Sequence, residues 1–411
     1  MPQEAAFSES LKALEATVNT TNALLGSLQD IGHGDQPSIS TDATINALDL
    51  AYDTTSLIKA HSAKLSLLII NEPFTPTAVI KILRELTAGP IPGLASAVEI
   101  CNAERYTKAM AEELHWRANK VFSELGTLVK AIPLDGRKLD DQQKEGGRGS
   151  LAATGVLWDA CDAVIALKNL GIMEILVKKV EEYQALVKDA LEELREWGDE
   201  AAEEADNLQD DEQDVDDAQA AFDDMLGSQK HIPTDDPDQI RERLESTLKK
   251  LRLIILMYQA VVKRRLKTLP SMPHLLLPPN LEDQSAPGII KCLDELMRLL
   301  REIPDVVDDL ASAFYDLDGV EIDSKMNECF LAGSSAAILL RKNWVDEEDE
   351  YTAWVGQQLH HEHPVTKHPR RINFSLPCNK ARSASDKLQT IPVLGYNVLR
   401  PAHEQEQGLV K

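Results

Sequence analysis

Cysteine is scarce and poorly placed for cross-linking. The five thiols (Cys101, Cys161, Cys292, Cys329 and Cys378) are odd in number, far apart and never in a CxxC pair, which excludes a disulfide framework or a zinc knuckle as the organising device. Long apolar runs are missing too. The longest, Leu251 to Val262 (LRLIILMYQAVV), contains an arginine and falls far short of the ~20 residues a membrane-spanning helix needs, so it reads as a buried helix. The opening MPQEAAFSES has neither the basic cluster nor the apolar segment of a secretory signal. The expectation is a soluble intracellular protein.

Signatures of chemistry are equally thin. EGGRGSLAATG, starting at Glu145, has no GK[ST] and no preceding strand, so its backbone is not arranged to cradle phosphates and it reads as a flexible linker. DLDGVEIDSK, from Asp316 to Lys325, fails as a calcium loop: with Gly319 in the sixth place, Phe314 and Lys325 would occupy the first and twelfth ligand positions. His360, His361 and His363 have no distant Cys or His partner at metal-ligand spacing and read as a solvated cluster. The other histidines are single, and Cys161 in LWDACDAVIAL has apolar neighbours, the setting of an inert core thiol. No catalytic, metal or cofactor set emerges, and the expectation is a protein that is not an enzyme.

What the chain does have is acid. Its 411 residues carry a net charge of -25, and Gly198 to Leu226 alone holds thirteen Asp and Glu and no Lys or Arg. Such a field repels a phosphate backbone, which argues against direct nucleic-acid binding, and it complements basic proteins. A hydrated acidic segment offers no desolvated pocket to set one carboxyl against another. It reads as a strap between folded parts, with Asp210, Asp211, Glu212, Asp214, Asp216 and Asp217 as candidate docking residues for a basic partner.

With 43% hydrophobic residues, the remainder can build proper cores. Nearly every assignable segment has a helical period. From Ile172 to Trp197, apolar residues including Ile175, Val180, Tyr183, Leu186, Val187, Leu191 and Leu194 recur at three and four, one wide stripe. Before the next long helix, Thr234 or a neighbouring Asp can cap, Pro237 suits a first helical position, and Lys263, Arg264, Arg265 and Lys267 crowd its end. Leu244, Leu248, Leu251, Ile255, Tyr258 and Val262 hold a four-three spacing open to a zipper reading. Leu253, Ile254, Leu256 and Met257 make its middle apolar all round, which favours the centre of a bundle.

Further helices are expected at about 4–30, 41–71, 76–102, 104–131, 151–169, 287–317, 320–343 and 346–360, with a kink or split where Gly89, Pro90, Pro92 and Gly93 interrupt the third. The fold class is all-α: two up-and-down helical bundles joined by an acidic linker. The expected divisions are an N-terminal bundle at 1–197, the linker at 198–236, a C-terminal bundle at 237–360, and a largely unfolded tail at 361–411 with scattered prolines and no sustained period.

VLWDACDAVIALKNLGIMEILVKKVEEYQALVKDALEELREW, from Val156 to Trp197, resembles the cyclin-D-binding protein family known as GCIP. In that family a VWxAC segment leads through an Asn-containing turn to a helix bearing VKDAxEE. The matching positions are Trp158, Ala160 and Cys161, then Asn169, then Val187, Lys188, Asp189, Ala190, Glu192 and Glu193. Leu83 to Cys101 and Gly288 to Asp316 are similar in layout to flanking family helices. The family's long closing helix is cut short here, because EEDEYTAWVGQQL runs into HHEHPVTKHPRR.

The resemblance implies an all-α, non-catalytic regulator of cell-cycle progression and transcription, present in nucleus and cytoplasm, that needs no cofactor. Its partners would be D-type cyclins or helix-loop-helix factors, sequestered without contact to DNA. Trp158, Cys161, Lys188 and Asp189 match the family motif and are expected to be structural. Two other classes fit the residues: an acidic chaperone of histones or similar basic proteins, and a vinculin-like helical scaffold. No membrane partner is expected.

Overall fold

The computed structural model describes residues 2–29, 45–137, 150–207, 232–233, 235–270 and 285–361, together with 370–371 and 392–393. The described part is all-α, apart from a two-residue antiparallel pairing of Arg370–Arg371 with Pro392–Val393. The helices are α1 (Pro2–Gln29), α2 (Ala47–Ile70), α3 (Pro76–Ala88), α4 (Pro90–Ile100), α5 (Ala103–Tyr106), α6 (Lys108–Lys130), α7 (Ser150–Asn207), α8 (Ile240–Arg264), α9 (Ser285–Tyr315), α10 (Gly319–Leu339) and α11 (Glu350–His361), with a 3-10 turn at Leu266–Thr268.

Local chemistry places most of the ends. Asn46 caps α2, its Oδ1 accepting from Leu48 N at 2.9 Å. Gly89 and Pro90 divide α3 from α4, the split expected from the sequence. The single helix expected at 104–131 is instead broken at Thr107, whose φ is 73°. The break is stabilised on both sides: buried Tyr106 takes Ala47 N–H on its hydroxyl at 2.8 Å, and Thr107 Oγ1 caps Met110 N at 3.4 Å. Before α8 the capping residue is Asp236, which accepts Ile240 N at 2.7 Å and Arg241 N at 3.0 Å. Pro237 therefore sits in the preceding turn and not at the first helical position.

α7 organises the molecule. Gly171 interrupts it with φ 67° and ψ -179°, a combination essentially restricted to glycine, so one continuous run becomes two segments. The first lies on α2 and α6: Lys59 Nζ meets both Asp162 oxygens at 2.6 and 2.7 Å, and Arg117 donates to the Ala163 carbonyl. The second packs on α8 and α9. There Gln184 Nε2 donates to the Ile255 carbonyl at 2.9 Å, and Trp197 stands against the rings of Phe314 and Tyr315. Gly198 allows the close approach of α7 to α8, since a β-carbon there would meet Leu244 Cδ2 at 2.4 Å.

The stripe on the second segment of α7 buries Ile172, Ile175, Leu176, Val180, Val187, Leu194 and Trp197, each worth roughly 1.5–3 kcal/mol for the larger aliphatics relative to an exposed position. Leu186, counted in that stripe by spacing, faces outward at 55% exposure; Val187 occupies the inward place. The apolar interior is continuous from Leu14 on α1 to Val355 on α11, so α7 serves both groups of helices. It also runs helically through Asn207, ten residues into the segment expected to be linker, as its Ala and Glu content favours.

Pro304 lies inside α9 and brings no N–H to the Leu300 carbonyl one turn earlier. Tyr258 of α8 supplies the missing donor, its hydroxyl meeting Leu300 O at 2.6 Å.

Candidate functional site

The family-motif residues fall at two separate places. Trp158, on the first segment of α7, is 38% exposed. Its Nε1–H donates to Ser62 Oγ at 3.2 Å and Lys59 Nζ lies 5.9 Å from its ring centroid, so it covers the α2–α7 seam. Cys161 is fully buried beneath, and burial pushes its thiol up to about 12; at neutral pH it is protonated and a poor nucleophile. Lys188 and Asp189 lie on the far segment, both exposed. Lys188 Nζ donates to Gln184 Oε1 at 3.3 Å, and through Gln184 it borders α8. About 40 Å of helix path separates the two pairs at 1.5 Å per residue, so they do not form one site. Asp210, Asp211, Glu212, Asp214, Asp216 and Asp217 lie outside the described residues, as does His363.

Just before the acidic segment, α7 meets α9 at an anionic face. Glu193 accepts from the Tyr315 hydroxyl at 2.7 Å. Burial first, then the charges of Asp305, Glu193 and Asp309, raises the Asp308 carboxyl. Carboxylates of α7 and α9 thus share one anionic face.

α8 carries the opposite sign. Lys249, Arg252, Leu256 and Lys263 follow one another at three, four and seven, which is one face of a helix, and all four are exposed. Sequence reasoning placed Leu256 in a bundle centre; the structure leaves it 48% exposed. Its three apolar neighbours turn toward α10 and α11, where Leu253, Ile254, Met257, Phe330, Trp354 and Val355 line a slot of about 50 Å³. A second, open cleft of about 540 Å³ lies between α1 and α3, lined by Ser10, Thr77, Lys81, Arg84 and Glu85 among others. Its one carboxylate, Glu85, lies 4.0 Å from Lys81 Nζ and 3.6 Å from His61 Nδ1.

At the end of α8 a buried clasp was invisible to sequence reasoning. Arg265, 1% exposed, donates to Asp349 Oδ2 and Oδ1 at 2.7 and 2.9 Å. It also donates to the carbonyls of Leu340 and Arg341, and its guanidinium lies 4.3 Å from the Tyr351 ring centroid. It ties the end of α8 to the end of α10 and the start of α11. The thiols of Cys101 and Cys329 are likewise raised to about 12 by burial. Among the described residues no three His, Cys, Asp or Glu are grouped to hold a metal ion, and no helix is long and apolar enough to cross a membrane.

Residues 52–200 match the family model described as Grap2 and cyclin-D-interacting, N-terminal. This segment is similar to the N-terminal domain of the cyclin-D-interacting family. The match runs from α2 to the second segment of α7 and therefore contains all four motif residues. An uncharacterized protein of Schizosaccharomyces pombe is 23% identical over 320 residues, covering 76% of this chain and 83% of its own length. The similarity thus extends beyond residues 52–200 into the C-terminal helices. No solved structure matches the chain. The matched segment ends on a helix whose inward stripe is covered by α8 and α9, so the C-terminal helices complete its packing.

Proposed function

We propose that this chain is a non-catalytic regulatory protein that binds other proteins through the outer faces of its helices, with D-type cyclins or helix-loop-helix factors as partners in cytoplasm and nucleus. The observation that carries the reading is the cyclin-D-interacting family match over residues 52–200. The physics of the interior supports it. The core is filled by aliphatic side chains and protonated thiols, whereas Trp116, Leu57 and Leu67 stand on outer faces, where apolar side chains can enter a partner helix's grooves. The acidic segment adds long-range attraction toward basic surfaces and speeds encounter.

The test is titration of purified D-type cyclin, and separately of a helix-loop-helix factor, against the full chain and against a chain lacking residues 198–226. Saturable binding by at least one of them is expected. Its salt dependence should shrink on deletion if the acidic segment steers encounter. No binding to either class would sink the reading. A second reading is favoured by the thirteen carboxylates between Gly198 and Leu226: a chaperone of histones or similar basic proteins whose main site is that segment. Retention of histone binding by the 198–226 peptide alone would select it.

A further inference from the structure

We infer that the outward face of α8 docks an acidic amphipathic helix of a partner protein. This surface lies outside the family-matched segment and takes a partner of the charge opposite to the one that the acidic segment attracts, so it stands apart from the cyclin reading.

The first observation is a local reversal of sign. Between Ser246 and Pro270 there are seven Lys and Arg and no Asp or Glu, in a chain of net charge -25. The fold consumes one of the seven, Arg265, in its clasp with Asp349; Arg264 meets Glu350 at 2.9 Å with both side chains largely exposed. Lys249 reaches Glu245 at 3.7 Å with both side chains more than 70% exposed, an arrangement worth little in water. Lys250, Arg252, Lys263 and Lys267 make no ion pair with any described residue. A cationic face that the described residues leave largely unpaired is complementary to carboxylates brought by another chain.

The second observation is shape. Leu256 stands exposed between Arg252 and Lys263 on that face, and Leu253 leads from it into the slot closed by Phe330, Trp354 and Val355. α7 flanks the face on one side through the Gln184 contact to Ile255, and α10 and α11 flank it on the other. A ridge between two grooves is what a second helix packs against, at interaxial distances of about 8–10 Å. The matching ligand presents leucine-like side chains at helical spacing, with Glu or Asp on either side. A nucleic acid fits less well. The molecule's overall field repels a phosphate backbone, and phosphates would make no use of Leu256 or the slot. Two leucines also bury too little to hold the helix on a lipid surface.

The experiment uses the full chain and a fluorescein-labelled peptide of about 18 residues, long enough for a marginally stable helix, with Leu at i, i+3, i+4 and i+7 and Glu at the flanking positions. A scrambled isomer of the same composition is the control. Anisotropy should show saturable binding, about tenfold tighter for the patterned peptide than for the scrambled one. Arg252→Glu with Lys263→Glu should weaken it by about tenfold or more, as expected for loss of two favourable pairs and gain of two repulsions. Leu256→Ser should weaken it severalfold with an unchanged salt slope. These positions are exposed, and circular dichroism checks that each variant keeps its helices; Lys249→Gln with Lys263→Gln removes charge without reversing it, as a milder pair. Equal affinity for both peptides would overturn the inference, as would wild-type affinity in the variants. So would tighter binding of a DNA duplex of equal charge. Failure of the patterned peptide to bind both the full chain and a chain lacking residues 208–226 would overturn it as well.

Discussion

The Tyr258 hydroxyl donates to the Leu300 carbonyl at 2.6 Å, the same carbonyl that Pro304 leaves without its helical donor. A helix defect on α9 is thus repaired by a side chain of α8, 42 residues away in sequence. Tyr258 is fully buried, and burial raises its hydroxyl well above the usual tyrosine range, so it remains a donor throughout the accessible pH range. Tyr258→Phe should destabilise the fold by about 1.5 kcal/mol, the cost of a buried acceptor left unsatisfied. In a Pro304→Ala background, where the backbone N–H returns, the same change should cost about half as much or less. Urea denaturation of the four proteins in the cycle measures this, and an equal cost in both backgrounds would refute the coupling.

Removing Asp349 leaves the Arg265 guanidinium buried with only carbonyl partners. Asp349→Ala should cost about 2 kcal/mol, less than a fully enclosed pair because water reaches the aspartate. The Arg265 guanidinium, through its hydrogen bonds, holds the Asp349 carboxyl down at about 2 against an ordinary 3.8. A lowered folded-state value means that the contribution is present above about pH 4 and is lost as pH falls toward 2. The acid limb of a thermal-stability profile should therefore be flatter in Asp349→Asn than in the unaltered chain. Identical limbs would show that the clasp does not control it.

The buried thiols should be silent. In a Cys378→Ser background, Cys101, Cys161, Cys292 and Cys329 should resist an aromatic disulfide reagent at pH 8 for as long as the protein stays folded. All four should react in denaturant. Burial pushes Cys101, Cys161 and Cys329 to about 12, so few are thiolates at that pH. Rapid native labelling of Cys161 would reopen the question of chemistry at the family motif.

Much of the fold was legible because its causes are local. Gly89 and Pro90 divide two helices, the break expected between 169 and 172 falls at Gly171, and the four-three spacing after Ile172 names the stripe that α7 buries. The misses have causes that are not local. Thr107 breaks the helix expected at 104–131 because Tyr106 is drawn to Ala47 N, 59 residues away. Leu186 faces water although the period permitted either neighbour to face inward. The end of α8 looked like helix-dipole chemistry, yet Arg265 is fixed by Asp349, 84 residues further along.

The order of residues alone settled that this is a chain of helices, where most of them bend or stop, and that its acid is concentrated after Trp197. These follow from backbone propensity, capping and charge, which act within a turn or two. Only the tertiary structure decided that α7 carries both groups of helices and that Tyr258 repairs α9. It also decided that Lys249, Arg252, Leu256 and Lys263 look outward. A helical period fixes which residues share a face; which neighbour that face meets is set by packing among segments far apart in the chain.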